Sequence, residues 1–290
     1  YRSPERFGIV DLGSQGLKKQ ATASPSDPHL CQPDGQKSCA WCCGLYNFQD
    51  LGREGLIRRL RARTETFAST DRTISAILHF SDKIIRDEQS QLADPDFYSC
   101  EFVGFVDPSE TRVGCMLHPL ALGNNSIDWR GLSHHGAMAC QGFFCRAFRE
   151  LSSGEKKVIL KTVQDWYLYG LVISDVDFTK SFFRLAEERF GRRIDPVRLL
   201  TPGASELLHD FFHWKIDWPF RKPGYNPICA KTSPMPGETY DDGGEEDSQP
   251  SITPIDRIFR SLGSEFRSAW ERQRAKQMVE QLFSSLARIA

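Results

Sequence analysis

The first helix-like pattern of hydrophobic positions covers residues 50–67. Asp50 is a suitable capping residue, and the apolar positions that follow it lie on one face with arginines on the other: Leu56, Ile57, Leu60 and Phe67. A second such segment runs from Asp71 to about Gln89, and its apolar positions are Ile74, Ile77, Leu78 and Ile84. Spacings of three and four residues are typical of amphipathic helices. The pattern therefore predicts two consecutive helices.

The helical pattern breaks down between Asp94 and Gly136. Pro, Gly, Asn and Asp recur there, and only short pieces such as residues 102–106 have the composition of an extended strand. A long irregular stretch is uncommon in a compact domain unless something ties it down. Two cysteines and a histidine within the stretch, with Cys140 just beyond it, could supply that tie.

Helical patterns return after Cys145. Ser152 and Glu155 have the spacing of a capping box, which predicts a helix from there to about Gly170. Further helices are predicted over 177–190 and over 195–214, the latter broken near Pro202. A final helix is predicted from Thr253, with a broad apolar stripe: Ile255, Ile258, Phe259, Leu262, Phe266, Trp270, Met278, Leu282 and Leu286.

These patterns predict a mainly α fold, a helical domain with an irregular cysteine-rich, metal-stapled region inserted between helices. Residues 232–252 are acidic, rich in Gly and Pro and poor in apolar side chains, as flexible linkers are. The predicted organisation has five parts: an irregular arm (1–30), a cysteine-cluster metal-binding region (31–150), a helical region (151–231), an acidic flexible linker (232–252) and a C-terminal amphipathic helix (253–290).

Composition narrows the class of partner and the compartment. The 37 basic and 38 acidic side chains nearly cancel among 290 residues, so no overall field favours nucleic acid or a membrane surface. No apolar run approaches the roughly 20 residues that span a bilayer. Tyr1 to Ser24 are polar and contain no apolar core of a signal peptide, so we expect a cytoplasmic protein.

Cysteine is the most informative residue type in this chain. Eight of the nine cysteines fall in the first half, and Cys229 stands alone downstream. The eight are Cys31, Cys39, Cys42, Cys43, Cys100, Cys115, Cys140 and Cys145. They could form four disulfides in an oxidising compartment. Adjacent Cys42 and Cys43 are poorly suited to that, and without an export signal we favour reduced thiols that bind a metal.

The Cys39-Ala-Trp-Cys42-Cys43 segment indicates how the metal is held. A Cys-x-x-Cys turn lets two sulfurs face one metal while backbone N–H groups of the turn donate to them. Neighbouring side chains diverge, so Cys42 and Cys43 rarely bind the same tetrahedral ion. The pair therefore suggests two nearby metals, or different irons of one cluster. Spacing does not decide between zinc and an iron–sulfur cluster, and burial of some cysteines as small apolar residues is the simpler alternative.

The order of these cysteines resembles the YkgJ-type cysteine-cluster family over residues 31–148. The matching segments are Cys39-x-x-Cys42-Cys43, Cys100-Glu-Phe-Val-Gly, Cys115-Met-Leu-His118-Pro119 and Cys140-Gln-Gly-Phe-Phe-Cys145. The resemblance implies a zinc- or iron-chelating protein, or an iron–sulfur protein, with these cysteines as ligands. The sequence departs from the family pattern in the longer spacing between Cys31 and Cys39, in His118 before the proline, and in the additional Cys145.

Histidines supply weaker candidates. His118 closely follows Cys115, so it is a candidate ligand or a hydrogen-bond partner of one. His134 and His135 could bind the metal or donate a proton beside it, and backbone hydrogen bonding is the alternative. His209 and His213 have the i, i+4 spacing of zinc-binding pairs. They lack an evident third ligand, so a core or surface role is the simpler explanation.

The sequence also bears on functions other than metal binding. The arginines of residues 53–63 could contact phosphates, but a solvated helix face explains them more simply. The chain contains no P-loop, dinucleotide fingerprint or nucleophile elbow. The leading hypothesis is a metal-binding protein with a structural or interaction role, in which the C-terminal helix offers a surface for a partner or for self-association. The alternatives are an iron-dependent redox or hydrolytic enzyme and a thiol-based redox sensor.

Overall fold

The computed structural model describes residues 29–142, 144–228 and 252–289, and this part of the chain is mainly helical. The helices are α1 (Arg53–Ala68), α2 (Ile74–Glu88), α3 (Gly136–Gly142), α4 (Arg146–Glu150), α5 (Ser153–Thr162), α6 (Trp166–Ile173), α7 (Val176–Phe190), α8 (Pro202–Asp217), α9 (Pro254–Ser261) and α10 (Ala269–Ile289). Two short strands, β1 (Val103–Phe105) and β2 (Val113–Cys115), form an antiparallel pair.

The two N-terminal helices occur where the hydrophobic pattern predicts them. Helix α1 begins after Gly52, and Asp50 is not its cap, since its side chain accepts from the Gly52 N–H at 3.0 Å. Helix α2 is capped by Thr73 and buries the face that carries Ile77, Phe80 and Ile84. The expected burial of Ile74 and Leu78 was wrong: their exposed fractions are 60% and 44%.

The irregular stretch contains the short extended piece that its composition predicts. Val103 of β1 pairs with Cys115 of β2, and the Val103 N–H also donates to the Cys100 carbonyl at 3.4 Å. The hairpin therefore brings the end of β2 next to the turn that carries Cys100. The structure shows a helical fold around this stretch, whereas metal stapling of the stretch stays a prediction.

The predicted helix over 152–170 is divided into two helices. Its start is confirmed, because Ser152 and Glu155 form the capping box. Helix α5 ends at Thr162, and Asp165 then starts α6 by accepting hydrogen bonds from the N–H groups of Tyr167 and Leu168. A side-chain cap in the middle of a helical pattern thus ends one helix and begins the next.

The C-terminal segment was expected as one helix and consists of two. Gly263 adopts φ +67° between α9 and α10, a left-handed conformation that ends a helix readily. The predicted break near Pro202 is confirmed, since α8 begins at that proline. Trp270, expected in the apolar stripe, has an exposed fraction of 67%. The buried residues of α10 contact α7 and α8 of the same chain: Ala275, Val279, Leu282, Phe283 and Leu286.

Helix α6 lies between two hydrophobic cores, and all of its residues are buried. The first core is formed by Leu30, by buried residues of α5 and α7–α10, and by Leu168, Tyr169, Val172 and Ile173 of α6. The second core is formed by buried residues of the 40–48 segment, of α1, α2 and the hairpin, and by Trp166, Tyr167 and Leu171 of α6. A helix that is apolar all round is typical of such a fully buried position.

Two predicted parts of the chain fall largely outside the described residues, namely the arm before residue 29 and the linker between 228 and 252. The predicted border near residue 150 does not separate the two cores, because α6 contributes to both of them. Among the described helices, none is both long enough and apolar enough to traverse a lipid bilayer.

Candidate metal centre

The eight cysteines between residues 31 and 145 are all free thiols. Cys31 and Cys39 are held together by the backbone, since the Cys39 N–H donates to the Cys31 carbonyl at 2.9 Å. Cys42 and Cys43 follow within the turn of residues 41–46. Cys229 lies outside the described residues.

Gly44 fixes the turn that carries the vicinal cysteines. Its φ is +77°, and a Cβ atom added there would lie 2.5 Å from the Tyr98 carbonyl oxygen and 2.6 Å from the Ser99 Cα. Only glycine allows both this backbone conformation and this close approach. The contact places Cys43 next to Cys100, whose N–H donates to the Cys43 carbonyl at 2.8 Å.

Arg63 of α1 holds the turn after Cys100 in place. Its guanidinium donates to the carbonyls of Cys100 and Val103 at 3.0 and 3.2 Å and forms an ion pair with Glu88 of α2. Only 2% of the Arg63 side chain is exposed. A buried charge needs such partners, so this arginine is a positioning residue and not part of a solvated face.

One group of thiols lies beside the first core. Burial, together with the neighbouring thiols of Cys42 and Cys145, raises the pKa of Cys31 to about 12. Burial also raises the pKa of Cys39, followed by the effects of Cys31 and Cys42. Each of these thiols thus lies within electrostatic range of the others.

Tyr169 of α6 faces the same group. Its hydroxyl donates to the Leu30 carbonyl at 2.8 Å, which fixes the chain directly before Cys31. Burial raises the pKa of Tyr169, and the thiols of Cys39, Cys31 and Cys145 contribute to the rise. A buried phenol from the centre of the fold therefore adjoins three cysteines from separate segments.

A second group of thiols lies beside the second core. Burial, together with Glu101 and Cys115, raises the pKa of Cys100 to about 12. Burial is also the main cause that raises the pKa of Cys115 to about 11, and Cys140 contributes to the rise. Cys140 is exposed on α3, with its sulfur 3.9 Å from the Ser133 hydroxyl.

Cys42 and Cys43 differ strongly in acidity. The Cys43 thiol donates to the Cys42 sulfur, and this bond, together with backbone N–H donors of the turn, lowers the pKa of Cys42 to about 7. Ionisation of Cys43 would remove the proton that it donates to Cys42. This hydrogen bond, together with burial, therefore raises the pKa of Cys43 well above its ordinary value. Backbone donation to sulfur is the arrangement expected of a Cys-x-x-Cys ligand turn.

His118 follows Cys115 closely, and its ring is already partly engaged. Its Nδ1 accepts a hydrogen bond from the Leu120 N–H at 3.2 Å. Partial burial lowers its pKa, and nearby Arg130 acts in the same direction. The ring is therefore neutral at physiological pH, and because Nδ1 accepts a hydrogen bond, its proton is on Nε2. Metal binding by His118 would require the ring to release the Leu120 N–H or to change tautomer.

His134 and His135 both pack against the ring of one tyrosine. Their ring centroids lie 4.6 and 4.9 Å from that of Tyr98, whose hydroxyl donates to the buried Glu101 carboxylate at 2.7 Å. Tyr98 also adjoins the Cys100 thiol, which contributes to the raised pKa of the phenol. The two imidazoles are thus close to the second group of thiols without belonging to it.

The remaining candidates lie elsewhere on the surface. His209 and His213 line a groove between α8 and α10, and Nδ1 of His213 lies 3.1 Å from an Asp217 carboxylate oxygen. The five arginines of residues 53–63 all pair with carboxylates of their own chain, at Asp50, Glu88, Glu110 and Asp165. This pairing leaves the phosphate-binding hypothesis without support from geometry.

The sequence did not identify the residues that arrange these thiols. Arg63 looked like one arginine of an exposed row, and Tyr169 like an ordinary core residue. Glu101 was signalled only by its position next to Cys100. Within the described ranges, no three His, Cys, Asp or Glu side chains are already arranged as a metal-binding group. Metal binding would therefore require the thiols of a group to move closer together.

No protein-family model matches the chain. No curated protein and no solved structure is significantly similar to it either. The resemblance of residues 31–148 to the YkgJ-type family therefore stays a prediction that rests on the order and spacing of the cysteines.

Proposed function

We propose that this protein binds zinc or an iron–sulfur cluster through its clustered cysteines, and that the metal has a mainly structural role. The observation that carries the proposal is that free thiols from distant parts of the chain lie together at the two cores: Cys39 and Cys145 pack against the first core, and Cys43, Cys100 and Cys115 lie in or against the second. Thiolates are the preferred ligands of zinc and of iron–sulfur clusters.

The structural role follows from what surrounds the thiols. Between α2 and α3, regular structure is limited to the β1–β2 pair and short 3-10 turns. Side chains outside the segment hold it in place, among them Arg63 and Arg72, whose guanidinium donates to the Asn124 side chain at 2.8 Å. Long irregular segments fold stably when a metal ties them together, as structural zinc does in small domains.

The interaction role of the C-terminal helix receives less support than the metal-binding role. Most of the stripe on α10 that suggested a partner surface faces the first core, since Leu282 and Leu286 are buried in it and Met278 packs against it. Trp270 in the first turn of α10 and Ile289 at its end are large apolar side chains that remain exposed. An interaction through this helix would therefore involve its ends rather than the buried part of the stripe.

The test is elemental analysis, together with a visible spectrum, of the full chain purified without oxygen. Stoichiometric zinc in a colourless protein, or iron with broad visible absorbance, is the expected result. Cys229→Ser is the matched control and should retain the full metal content. Absence of stoichiometric zinc and iron from the parent protein would contradict the proposal.

A second candidate function is an iron-dependent redox or hydrolytic enzyme. The packing of His134 and His135 against Tyr98 favours this function. Tyr98 adjoins Cys100, so the two imidazoles lie near the second group of thiols. Such an enzyme needs a metal with an incomplete set of protein ligands. Azide added to the anaerobically purified protein should then shift its visible spectrum, whereas an unchanged spectrum would contradict an open position.

A further inference from the structure

We infer that the eight cysteines form two neighbouring metal sites of four thiols each, one beside each hydrophobic core. The first site consists of Cys31, Cys39, Cys42 and Cys145, and the second of Cys43, Cys100, Cys115 and Cys140. Each site holds one centre, a zinc ion or one iron–sulfur cluster. This inference rests on the proposed function and specifies how its ligands are divided.

The division follows the two hydrophobic cores. Cys39 and Cys145 pack against the first core, which also contains Leu30, the residue before Cys31. Cys100 is a member of the second core, and Cys43 and Cys115 pack against it.

Backbone contacts join the members within each site. In the first site, Cys39 bonds to Cys31. In the second site, Cys43 bonds to Cys100, and the Val103–Cys115 pair brings β2 next to the Cys100 turn. These contacts are fixed by the fold, so they persist whether or not the thiols are ionised.

Chain geometry assigns the two remaining cysteines. Cys42 follows Cys39 at Cys-x-x-Cys spacing, which suits one metal. The Trp129 N–H donates to the Leu117 carbonyl at 3.1 Å, and the Cys140 sulfur lies 3.9 Å from the Ser133 hydroxyl. These contacts join Cys140 to the segment that follows Cys115.

The two-site arrangement explains why Cys42 and Cys43 are adjacent in the sequence. Adjacent side chains are poorly placed to bind one tetrahedral ion but can serve two ions on neighbouring sides of a turn. Gly44 presses the turn against residues 98–99, which directs Cys43 toward the Cys100 side. Cys42 is then left to complete the first site with Cys31 and Cys39.

The experiment counts metal centres in the full chain and in matched double variants purified without oxygen. Cys31→Ser/Cys145→Ser removes ligands from the first site, and Cys100→Ser/Cys140→Ser removes as many from the second. Each double variant should lose half of the bound metal, whichever metal it is, and the quadruple variant should lose all of it. Cys31→Ser/Cys100→Ser has the same number of changes as each double variant but removes one ligand from each site, so this variant should also lose all of the bound metal.

A second measurement does not depend on how well the variants fold. The parent chain, reconstituted with cadmium-113, should give two resonances of equal intensity in the range of four-sulfur coordination. One resonance, or a parent protein with a single centre, would contradict the division but leave the proposed function intact. Loss of all metal in a same-site double variant that keeps a native circular dichroism spectrum would likewise contradict the division but not the proposed function. A parent protein without metal would contradict both.

Discussion

The two cores on either side of α6 are built in different ways. The first is closed by long helices, whose apolar faces bury one another, with stacked rings such as Phe178 and Phe211 at a centroid distance of 4.6 Å. The second combines α1 and α2 with a short hairpin and the irregular segment around it. Helices satisfy their own backbone groups, whereas irregular segments need partners from elsewhere. If the protein binds metal as proposed, the comparison predicts that metal binding stabilises the second core more than the first.

The largest expected effect is the response to metal removal. Chelation should increase amide hydrogen exchange in residues 98–132 by at least about 100-fold, because structural metal binding contributes directly to folding. Helices α7 and α8 of the first core should change much less. Hydrogen exchange measured by mass spectrometry, with and without chelator, makes the comparison. Equal acceleration in both regions would contradict the difference between the cores.

The next effect concerns the buried ion pair of the first core. Lys215 Nζ lies 2.7 Å from an Asp175 carboxylate oxygen, and both side chains are at most 5% exposed. Lys215→Met leaves the Asp175 charge buried, so we expect a loss of about 3–5 kcal/mol in the free energy of unfolding. Chemical denaturation measures it.

Lys83→Met is the matched control for that substitution. Lys83 and Asp87 form an exposed i, i+4 pair on α2, so this change should cost no more than about 0.5 kcal/mol. Similar losses for the two variants would show that the Lys215 pair is not a buried support of the first core.

Arg63 supports the second core in a comparable way, with one partner that is less deeply buried. Arg63→Gln removes the ion pair to Glu88 and at least one donor to the Cys100 and Val103 carbonyls. We expect a loss of about 2–4 kcal/mol. The same variant should release metal from the second site more readily than from the first. Arg61→Gln, at an exposed pair with Glu110, is the control and should leave both properties nearly unchanged.

The smallest effect is expected at the edge of the first core. Partial burial of Asp256 opposes ionisation, but hydrogen bonds from Thr253 and Arg272 outweigh it and lower its pKa. Asp256→Asn should cost about 0.5–1 kcal/mol at pH 7, since the carboxylate lies at the start of α9 and is partly solvated.

The pH dependence of that difference follows from the lowered pKa. The stabilisation is complete above the unfolded-state pKa of about 3.9 and disappears as the pH falls through the lower folded-state value. The difference between parent and variant, measured by denaturation, should therefore be constant from pH 8 to pH 5. A difference that already declines between pH 7 and pH 5 would contradict this assignment.

Local signals in the sequence were sufficient to place most helices but not their internal breaks. The Ser152–Glu155 capping box and Pro202 act within a few residues, and both predicted helix starts are confirmed. The breaks at Asp165 and Gly263 lie within apolar spacing that continues across them, so the periodicity concealed them. On α2 the buried face includes Phe80, which the predicted stripe lacks, whereas Ile74, which the stripe includes, is exposed.

The division of the cysteines could not be predicted from spacing. Cys145 is more than a hundred residues from Cys31, and their approach depends on α6, where Tyr169 holds the Leu30 carbonyl. The approach of Cys43 to Cys100 depends on Gly44, whose role is visible only in its contact with Tyr98 and Ser99. The sequence identified thiols as candidate ligands, whereas long-range packing determines which of them are neighbours.

The most direct test of the central claim is native mass spectrometry of the full chain, purified without oxygen. The account predicts a dominant species that carries two metal centres, with one-centre species appearing as chelator is added. A chain that carries a single centre would contradict the two-site arrangement. A chain that carries none would contradict metal binding itself.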